Sequence, residues 1–232
     1  MEQLTICPLC FQNGLQSVQK DIKTGTYYLE CTRCGFYNIS EEFIILPHEK
    51  QKLTTSGYLL SGLSREMLEM SSDIPLFTPE NIDNYLNNPL IPDPQNLEEK
   101  AQKFLLRLKE RSEYFSSKVI IKIDNDYPLA YAKNGHEFKA LLSLLKEKKL
   151  IGITVTVKAD GSYNREVDLL SDGWEITNTL EKSNKESKQG FIASWFDASM
   201  EEYINTAEAA IMETGFKPMC IKDKHFPERI MD

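Results

Sequence analysis

The sequence predicts an α+β multidomain protein. Three patterns indicate this class: two Cys-x-x-Cys pairs near the N-terminus, a helix–strand–strand–helix pattern within residues 118–183, and an apolar strand, a helix and a second strand within residues 190–232. Because the patterns follow one another along 232 residues, of which 41% are hydrophobic, we expect two or three small cores rather than one large core.

Charge and hydropathy limit the classes of function. The formal net charge of −8 at pH 7 excludes a protein that coats nucleic acid with its whole surface, so a contact with DNA or RNA would need a local basic patch. No stretch approaches the roughly 18 apolar residues of a membrane helix, and the N-terminus lacks the pattern of a secretory signal. We therefore expect a cytoplasmic protein with no membrane partner.

Four of the five cysteines form two pairs, Cys7 with Cys10 and Cys31 with Cys34. In a reducing compartment such pairs mark a metal site or a redox motif more often than disulfides. Two pairs separated by about twenty residues can offer four thiolates in a tetrahedron, the closed geometry of structural zinc. A redox Cys-x-x-Cys is the alternative, but that motif normally occurs once and opens a helix. We predict a zinc ribbon in residues 1–46, with a strand between the pairs.

Two other residues have metal-binding chemistry. His48 could replace one of the cysteine ligands, although a surface histidine is the more common role. Cys220 lies in an apolar stretch, and we expect a small buried hydrophobic residue there. Since four thiolates fill a tetrahedral site, they leave no open ligand position for catalysis.

The middle of the chain combines helices with a winged helix-turn-helix pattern. Residues 47–117 alternate helical patterns with turn residues, which indicates a helical linker or subdomain. Residues 118–183 contain a helix, two alternating strands around a turn, and a closing helix, the order typical of a winged helix-turn-helix. The apolar positions of the first helix are Phe138, Leu141, Leu142, Leu145 and Leu150.

The predicted winged helix carries basic residues that have two interpretations. Its candidate nucleic-acid contacts, which would meet phosphates, are Lys139, Lys146, Lys148 and Lys149 on the helix and Lys158 and Arg165 on the wing. Alternatively, these residues are the solvated face of an ordinary helix, accompanied by Glu137 and Glu147. Arginine, asparagine and glutamine, the residues suited to base-specific readout, are scarce on this helix. We therefore expect a protein–protein or scaffolding role, with nucleic-acid binding as the alternative.

Residues 190–232 open like an α/β unit. An apolar strand over 190–195 leads into a helix with a Ser199-x-x-Glu202 capping box, and a second strand follows. This order predicts parallel strands with a right-handed crossover.

Ligands of such sheets bind beyond the carboxyl ends of the strands. The candidate nucleotide-binding residues at that edge are Ser194, Trp195, Phe196 and Asp197. Asp197 could accept hydrogen bonds from ribose hydroxyls, and an aromatic ring could stack on a base. Alternatively, both aromatic side chains are core, and the Asp197 carboxylate only favours the helix dipole.

The C-terminal segment resembles the opening of a bacterial family of TIR-like domains related to nucleoside 2-deoxyribosyltransferases. The resemblance rests on "FIASWFDASM", the helix end "AIMETGF" and the strand that leads to "IKDK", and it covers residues 191 to about 224. The chain departs from the family at Ala193-Ser194, where Ala-Met is more usual, and in "KHFPERIMD". Upstream, "SGYLLSGLSRE" and "LSDGWEITNTLE" resemble the zinc-ribbon and winged-helix region that precedes this domain in some members.

The resemblance implies a flavodoxin-like α/β fold that cleaves the N-glycosidic bond of NAD or a nucleoside, often in antiphage defence. Activity in such effectors is commonly switched by assembly, which implies a homo-oligomer or a protein complex. A carboxylate, usually a Glu on a later helix, stabilises the oxocarbenium-like transition state. Because that helix is missing here, we expect a piece of a longer protein that is inactive alone. The alternatives are a DNA- or RNA-binding regulator and a non-catalytic scaffold.

Overall fold

The computed structural model describes residues 4–70, 74–88, 91–157, 163–186, 189–192, 200–214 and 217–220. Helices and strands are mixed along the chain, as the α+β class requires. The chain divides into two compact units, residues 1–177 and residues 178–232. The boundaries expected after residues 46 and 117 lie inside the first unit. Among the described helices, none combines the length and the apolar character needed to span a bilayer.

The first unit opens with a four-stranded sheet that carries the cysteines. β1 (Leu15–Asp21), β2 (Thr26–Cys31) and β3 (Gly35–Ser40) are antiparallel neighbours, and β4 (Leu76–Phe77) pairs with β3 in parallel. β2 is the strand predicted between the cysteine pairs. Cys31 ends β2 and faces Gly35 at the start of β3, so the second Cys-x-x-Cys pair forms the tight turn of this hairpin.

Two helices follow the hairpin, α1 (Glu42–Ile45) and the 23-residue α2 (Pro47–Glu69). α2 has proline at its first position, where the missing N–H costs no hydrogen bond. One face of α2 packs into a core that contains Leu29 and Ile39 of the sheet. The side chains of α2 in this core are Leu53, Leu59, Leu60 and Leu63. This packing places α2 over the strands that carry the cysteines.

The rest of the first unit combines helices with a second sheet. α4 (Leu97–Arg111) and α6 (Gly135–Glu147) are both capped by asparagine, since Asn96 and Asn134 each accept two backbone N–H hydrogen bonds. β5 pairs with β7 and β7 with β6, all antiparallel, so the sheet order is β5-β7-β6. The remaining elements are α3 (Ile82–Leu86), β5 (Val119–Ile120), α5 (Ile123–Asp126), a 3₁₀ helix (Tyr127–Ala130), β6 (Ile151–Val157) and β7 (Tyr163–Leu169). The helix α7 (Ser171–Glu186) begins in the first unit and continues past residue 177.

The second core lies between α4, α6 and the β5-β7-β6 sheet. The rings of Phe104 and Phe138 meet edge to face with centroids 5.2 Å apart. Four of the five apolar positions that predicted a helix, Phe138, Leu141, Leu142 and Leu145, are buried on α6. Leu150 lies beyond the end of α6 and only packs against this core. The helical pattern of the sequence is therefore confirmed up to residue 147.

A buried polar network joins α2 to α4 and to the 3₁₀ helix. The Glu66 carboxylate on α2 lies 2.9 Å from Lys103 Nζ on α4 and accepts a hydrogen bond from the Tyr131 hydroxyl. Arg65, Glu69, Arg107, Arg111 and Asp126 extend the network through further ion pairs. Because a buried charge is costly without a partner, this network restricts how α2 can lie against α4.

The second unit contains two parallel strands and the helix between them. β8 (Gln189–Ile192) pairs with β9 (Lys217–Cys220), and α8 (Glu201–Glu213) connects them. The predicted parallel strand pair is thus confirmed, and the right-handed crossover stays a prediction. The N-cap of α8 is Met200, which makes no side-chain cap bond, whereas Ser199 lies outside the described residues.

Glycine at position 62 permits the close contact between α2 and Tyr131. A Cβ atom at residue 62 would lie 2.5 Å from Cδ1 of the Tyr131 ring. We expect Gly62→Ala to lower the free energy of unfolding by about 1–3 kcal/mol despite the better helix propensity of alanine. The measurement is urea denaturation followed by circular dichroism.

Thr55→Ala is the control for this change, because Thr55 lies on the exposed face of the same helix. We expect it to change the free energy of unfolding by less than about 0.5 kcal/mol. Equal stability of the two variants would contradict the proposed crowding at Gly62.

Candidate metal centre

Four cysteine side chains converge on one point of the first unit. The Sγ atoms of Cys7, Cys10, Cys31 and Cys34 all lie within 4.8 Å of one another, with Cys7 3.6 Å from Cys34 and Cys10 3.8 Å from Cys31. A disulfide would hold two sulfurs about 2.05 Å apart. Metal–sulfur bonds of about 2.3 Å in a tetrahedron require sulfur–sulfur distances of about 3.8 Å. The four cysteines are therefore arranged to hold a metal ion.

Each Cys-x-x-Cys pair lies in a turn closed by backbone hydrogen bonds. In the first turn, Phe11 N donates to Cys7 O over 2.9 Å and Cys7 N donates to Gln12 O over 3.1 Å. The second turn ends at Gly35, whose φ of +80° lies in the left-handed region that glycine adopts without strain. Local chain geometry thus presents both sulfurs of each pair to the same side.

The cysteine side chains are largely buried, and burial disfavours thiolates whose charge is not compensated. Cys7, Cys31 and Cys34 are buried, and Cys10 is half-buried. Burial raises the pKa of the Cys7 and Cys34 thiols well above the ordinary value, whereas a hydrogen bond with Cys10 lowers the pKa of Cys31. Since thiolates, not thiols, bind metals, four of them can coexist here only when a cation offsets their charge. The donor set and its burial therefore fit a divalent metal ion.

Two hydroxyl groups lie beside the sulfurs. Tyr37 Oη on β3 is 2.9 Å from Cys7 Sγ, and Ser61 Oγ on α2 is 3.0 Å from Cys34 Sγ. Both residues are fully buried. Burial raises the pKa of the Tyr37 hydroxyl well above its ordinary value, so this residue keeps its proton.

Sequence reasoning did not identify these two hydroxyl residues. The only signal for Tyr37 is its position three residues after Cys34. For Ser61 the only signal is a pair of small residues, Ser61 and Gly62, within the apolar stretch 58–63.

The candidate substitute ligand, His48, lies apart from the cluster. The His48 side chain is 70% exposed, and its Nε2 lies 3.3 Å from Glu49 Oε1. It is not among the residues whose ligand atoms gather around the four sulfurs. The side chain of Cys220, on β9, lies outside the described part of the chain, so its predicted burial stays a prediction.

The candidate nucleic-acid contacts are only partly described. Lys139 and Lys146 are exposed on α6, and Lys148 and Lys149 are exposed just beyond its end. Arg165 on β7 is half-buried, with its guanidinium 5.9 Å from the centroid of the Tyr163 ring. Lys158 lies outside the described residues. Three of these lysines, Lys146, Lys148 and Lys149, therefore lie at or just beyond the C-terminal end of α6, whereas Lys139 lies in its N-terminal half.

The nucleotide-binding candidates Ser194, Trp195, Phe196 and Asp197 lie outside the described residues, and their role stays a prediction. Comparisons with models of known protein families, with curated proteins and with solved structures give no match. The case for a function therefore rests on the geometry of the described residues and on the sequence motifs.

The clustered cysteines predict how metal content responds to serine substitution. Cys31→Ser removes one of the four sulfurs, and we expect the purified chain to lose most of its bound metal because three thiolates cannot complete the tetrahedron. Cys220→Ser is the matched control and should keep the metal content of the unchanged chain. The measurement is elemental analysis by mass spectrometry of protein purified without chelator.

Proposed function

We propose that a zinc ribbon in residues 1–46 and a winged helix in residues 118–183 form a module that serves recognition and assembly, and that residues 190–232 begin a TIR-like domain that processes nucleotides. In the longer protein, the module would sense a signal and drive assembly. The TIR-like domain would then cleave the N-glycosidic bond of NAD or a nucleoside, in antiphage defence. The main observation in favour of a zinc-stabilised module is the four-cysteine cluster packed against α2.

Zinc is the metal that suits the cluster. Four sulfur ligands in a closed, buried tetrahedron are typical of structural zinc, and a small ribbon of this size depends on its metal to fold. When bound, zinc supplies charge compensation and a cross-link between the two turns. Cys7, Cys10, Cys31 and Cys34 would hold it, and the closed ligand set favours a structural role over a catalytic one. Less than about half an equivalent of zinc per chain would contradict this assignment.

The order of elements supports the winged helix. A helix, a short strand, a second helical segment, a third helix and a two-stranded wing follow one another as α4, β5, α5 with the 3₁₀ helix, α6, β6 and β7. The short strand β5 pairs with the second wing strand β7, which closes the sheet over the helices. In this arrangement α6 would be the recognition helix.

The TIR-like assignment is supported by sequence resemblance and by the parallel pairing of β8 with β9. A strand, a helix and a parallel strand are the first step of an open α/β sheet, whose ligands bind beyond the carboxyl ends of the strands. One residue separates the end of β8 from the candidates Ser194, Trp195, Phe196 and Asp197. They would therefore stand at the ligand-binding edge of that sheet.

A second candidate function is nucleic-acid binding by α6. Glu137, one of the two acidic residues expected among the lysines, instead pairs with the buried Lys100 at 2.6 Å. Its other carboxylate oxygen accepts a hydrogen bond from the Lys133 backbone N–H. With Glu137 paired, the exposed charged residues of this region give a net positive charge in a protein that is acidic as a whole. They are Lys139, Lys146 and Glu147 on α6 and Lys148 and Lys149 just beyond its end.

The nucleotide proposal predicts a signal from one of two tryptophans. We expect NAD to quench the fluorescence of Trp195, because a base stacked on its ring changes the environment of the indole. Trp195→Phe should abolish the NAD-dependent signal, whereas Trp174→Phe should retain it. The measurement is a fluorescence titration with NAD.

We expect parallel chromatography for nicotinamide to show no turnover, because the resemblance covers only residues 191 to about 224 and offers no match to the family's catalytic Glu. Quenching that survives Trp195→Phe would contradict the nucleotide proposal, whereas release of nicotinamide would contradict the expectation that this chain is inactive alone.

If α6 binds nucleic acid, the affinity for DNA should depend on salt concentration and on which lysines are replaced. Changing Lys146, Lys148 and Lys149 to glutamine should reduce affinity for double-stranded DNA at least about tenfold and flatten its salt dependence. The control triple variant carries glutamine at the exposed Lys23, Lys50 and Lys122, which changes the net charge equally at other places. The measurement is fluorescence anisotropy of labelled DNA with each triple variant at several salt concentrations. An equal loss of DNA affinity in the two triple variants would count against binding through α6.

A further inference from the structure

We propose that Ser61 and Tyr37 are positioning residues of the metal centre, donating hydrogen bonds to its thiolates. The inference rests on the proposed zinc site and adds two residues outside the Cys-x-x-Cys pairs to it. Ser61 Oγ lies 3.0 Å from Cys34 Sγ, and Tyr37 Oη lies 2.9 Å from Cys7 Sγ.

The direction of both hydrogen bonds follows from the chemistry of the sulfur. A metal-bound cysteine has lost its proton, so its sulfur can only accept. The hydroxyl group must then be the donor. Because both hydroxyl residues are fully buried, no solvent competes for them, and a hydrogen bond to an ionised acceptor is stronger than one between neutral groups.

The behaviour of other hydroxyl residues on α2 shows that the contact of Ser61 is specific. Thr54, Thr55 and Ser56 donate to the backbone carbonyl four residues earlier, the usual choice within a helix. Ser61 lies against the sulfur of Cys34 instead. A serine directed at a thiolate across an interface is therefore a feature of the site rather than of the helix.

Ser61 reaches the sulfur because α2 approaches the first cysteine turn closely. A Cβ atom at Gly57, one turn before Ser61, would lie 2.7 Å from the Leu9 carbonyl oxygen, so only glycine permits this approach. Metal affinity and the docking of α2 are therefore linked: each stabilises the other by the same free energy. The metal centre extends beyond the ribbon into the helix that packs on it.

Ser64 offers a matched control on the same helix. It is also fully buried and bonds to the same hairpin, but its hydroxyl donates to the Phe36 carbonyl instead of to a sulfur. Ser64→Ala thus removes a buried hydrogen bond between α2 and β3 without changing a metal ligand. Comparison with Ser61→Ala separates loss of docking from loss of a thiolate donor.

The first test measures zinc affinity of the complete 232-residue chain by competition with a chromophoric chelator. We expect Ser61→Ala and Tyr37→Phe each to weaken zinc binding about ten- to a hundredfold, the size of effect usual for residues that support metal ligands. Ser64→Ala should weaken it less than about threefold. Equal affinities for Ser61→Ala and Ser64→Ala would overturn the proposal.

The second test uses cobalt(II) in place of zinc and reports on the sulfur itself. Removing a donor raises the energy of the sulfur lone pair, so the thiolate-to-cobalt charge-transfer band should move to longer wavelength in Ser61→Ala and Tyr37→Phe. Ser64→Ala should keep the band of the unchanged chain. Bands unmoved by Ser61→Ala and Tyr37→Phe would overturn the donor role, whereas failure of the unchanged chain to bind zinc or cobalt would overturn the metal centre itself.

Discussion

The close approach of α2 to the cysteine-bearing turns is the constraint on which the first unit depends. Gly57 leaves room for the backbone at Leu9, and Ser61 faces the sulfur of Cys34. On another part of the helix, Gly62 leaves room for the ring of Tyr131. Because the same helix contacts the sheet, the sulfurs and the 3₁₀ segment, a change in its position would disturb all three. The metal centre and the contact with Tyr131 therefore depend on the same helix.

Buried charged groups restrict how α2 can be oriented against its neighbours. Glu66 is buried against Lys103, Arg107 and the hydroxyl of Tyr131. The backbone of Tyr131 is in the left-handed region, with a φ of 51°. Burying ions is costly, and their mutual attraction does little more than offset that cost. Such a network adds little net stability, but a displaced helix would leave charges without partners. It therefore selects one arrangement of α2 and α4 from those that apolar packing alone would allow.

The two ends of α6 have different chemistry. Near its start, Glu137 is held by Lys100 of α4, whose ammonium also lies 5.6 Å from the centroid of the Tyr58 ring. Towards its end, the lysines are exposed, and Lys149 takes a left-handed conformation that turns the chain into β6. The apolar face of the helix holds the core while its exposed face is left for solvent or an anionic partner. The exposed face of this helix could therefore meet a partner without altering the packing of its apolar face.

The sequence by itself determined the features set by local geometry. Cysteine spacing identified four candidate ligands because each pair lies in one short turn, and apolar periodicity located α6 because helix geometry repeats every 3.6 residues. The parallel pairing of β8 and β9 followed from the helix between them. Tertiary structure alone decided that Ser61 meets Cys34, that Glu66 meets Lys103, and that Glu137 is occupied by Lys100. These contacts join residues 27 to 37 positions apart. Their geometry depends on how complete elements pack, which no local pattern specifies.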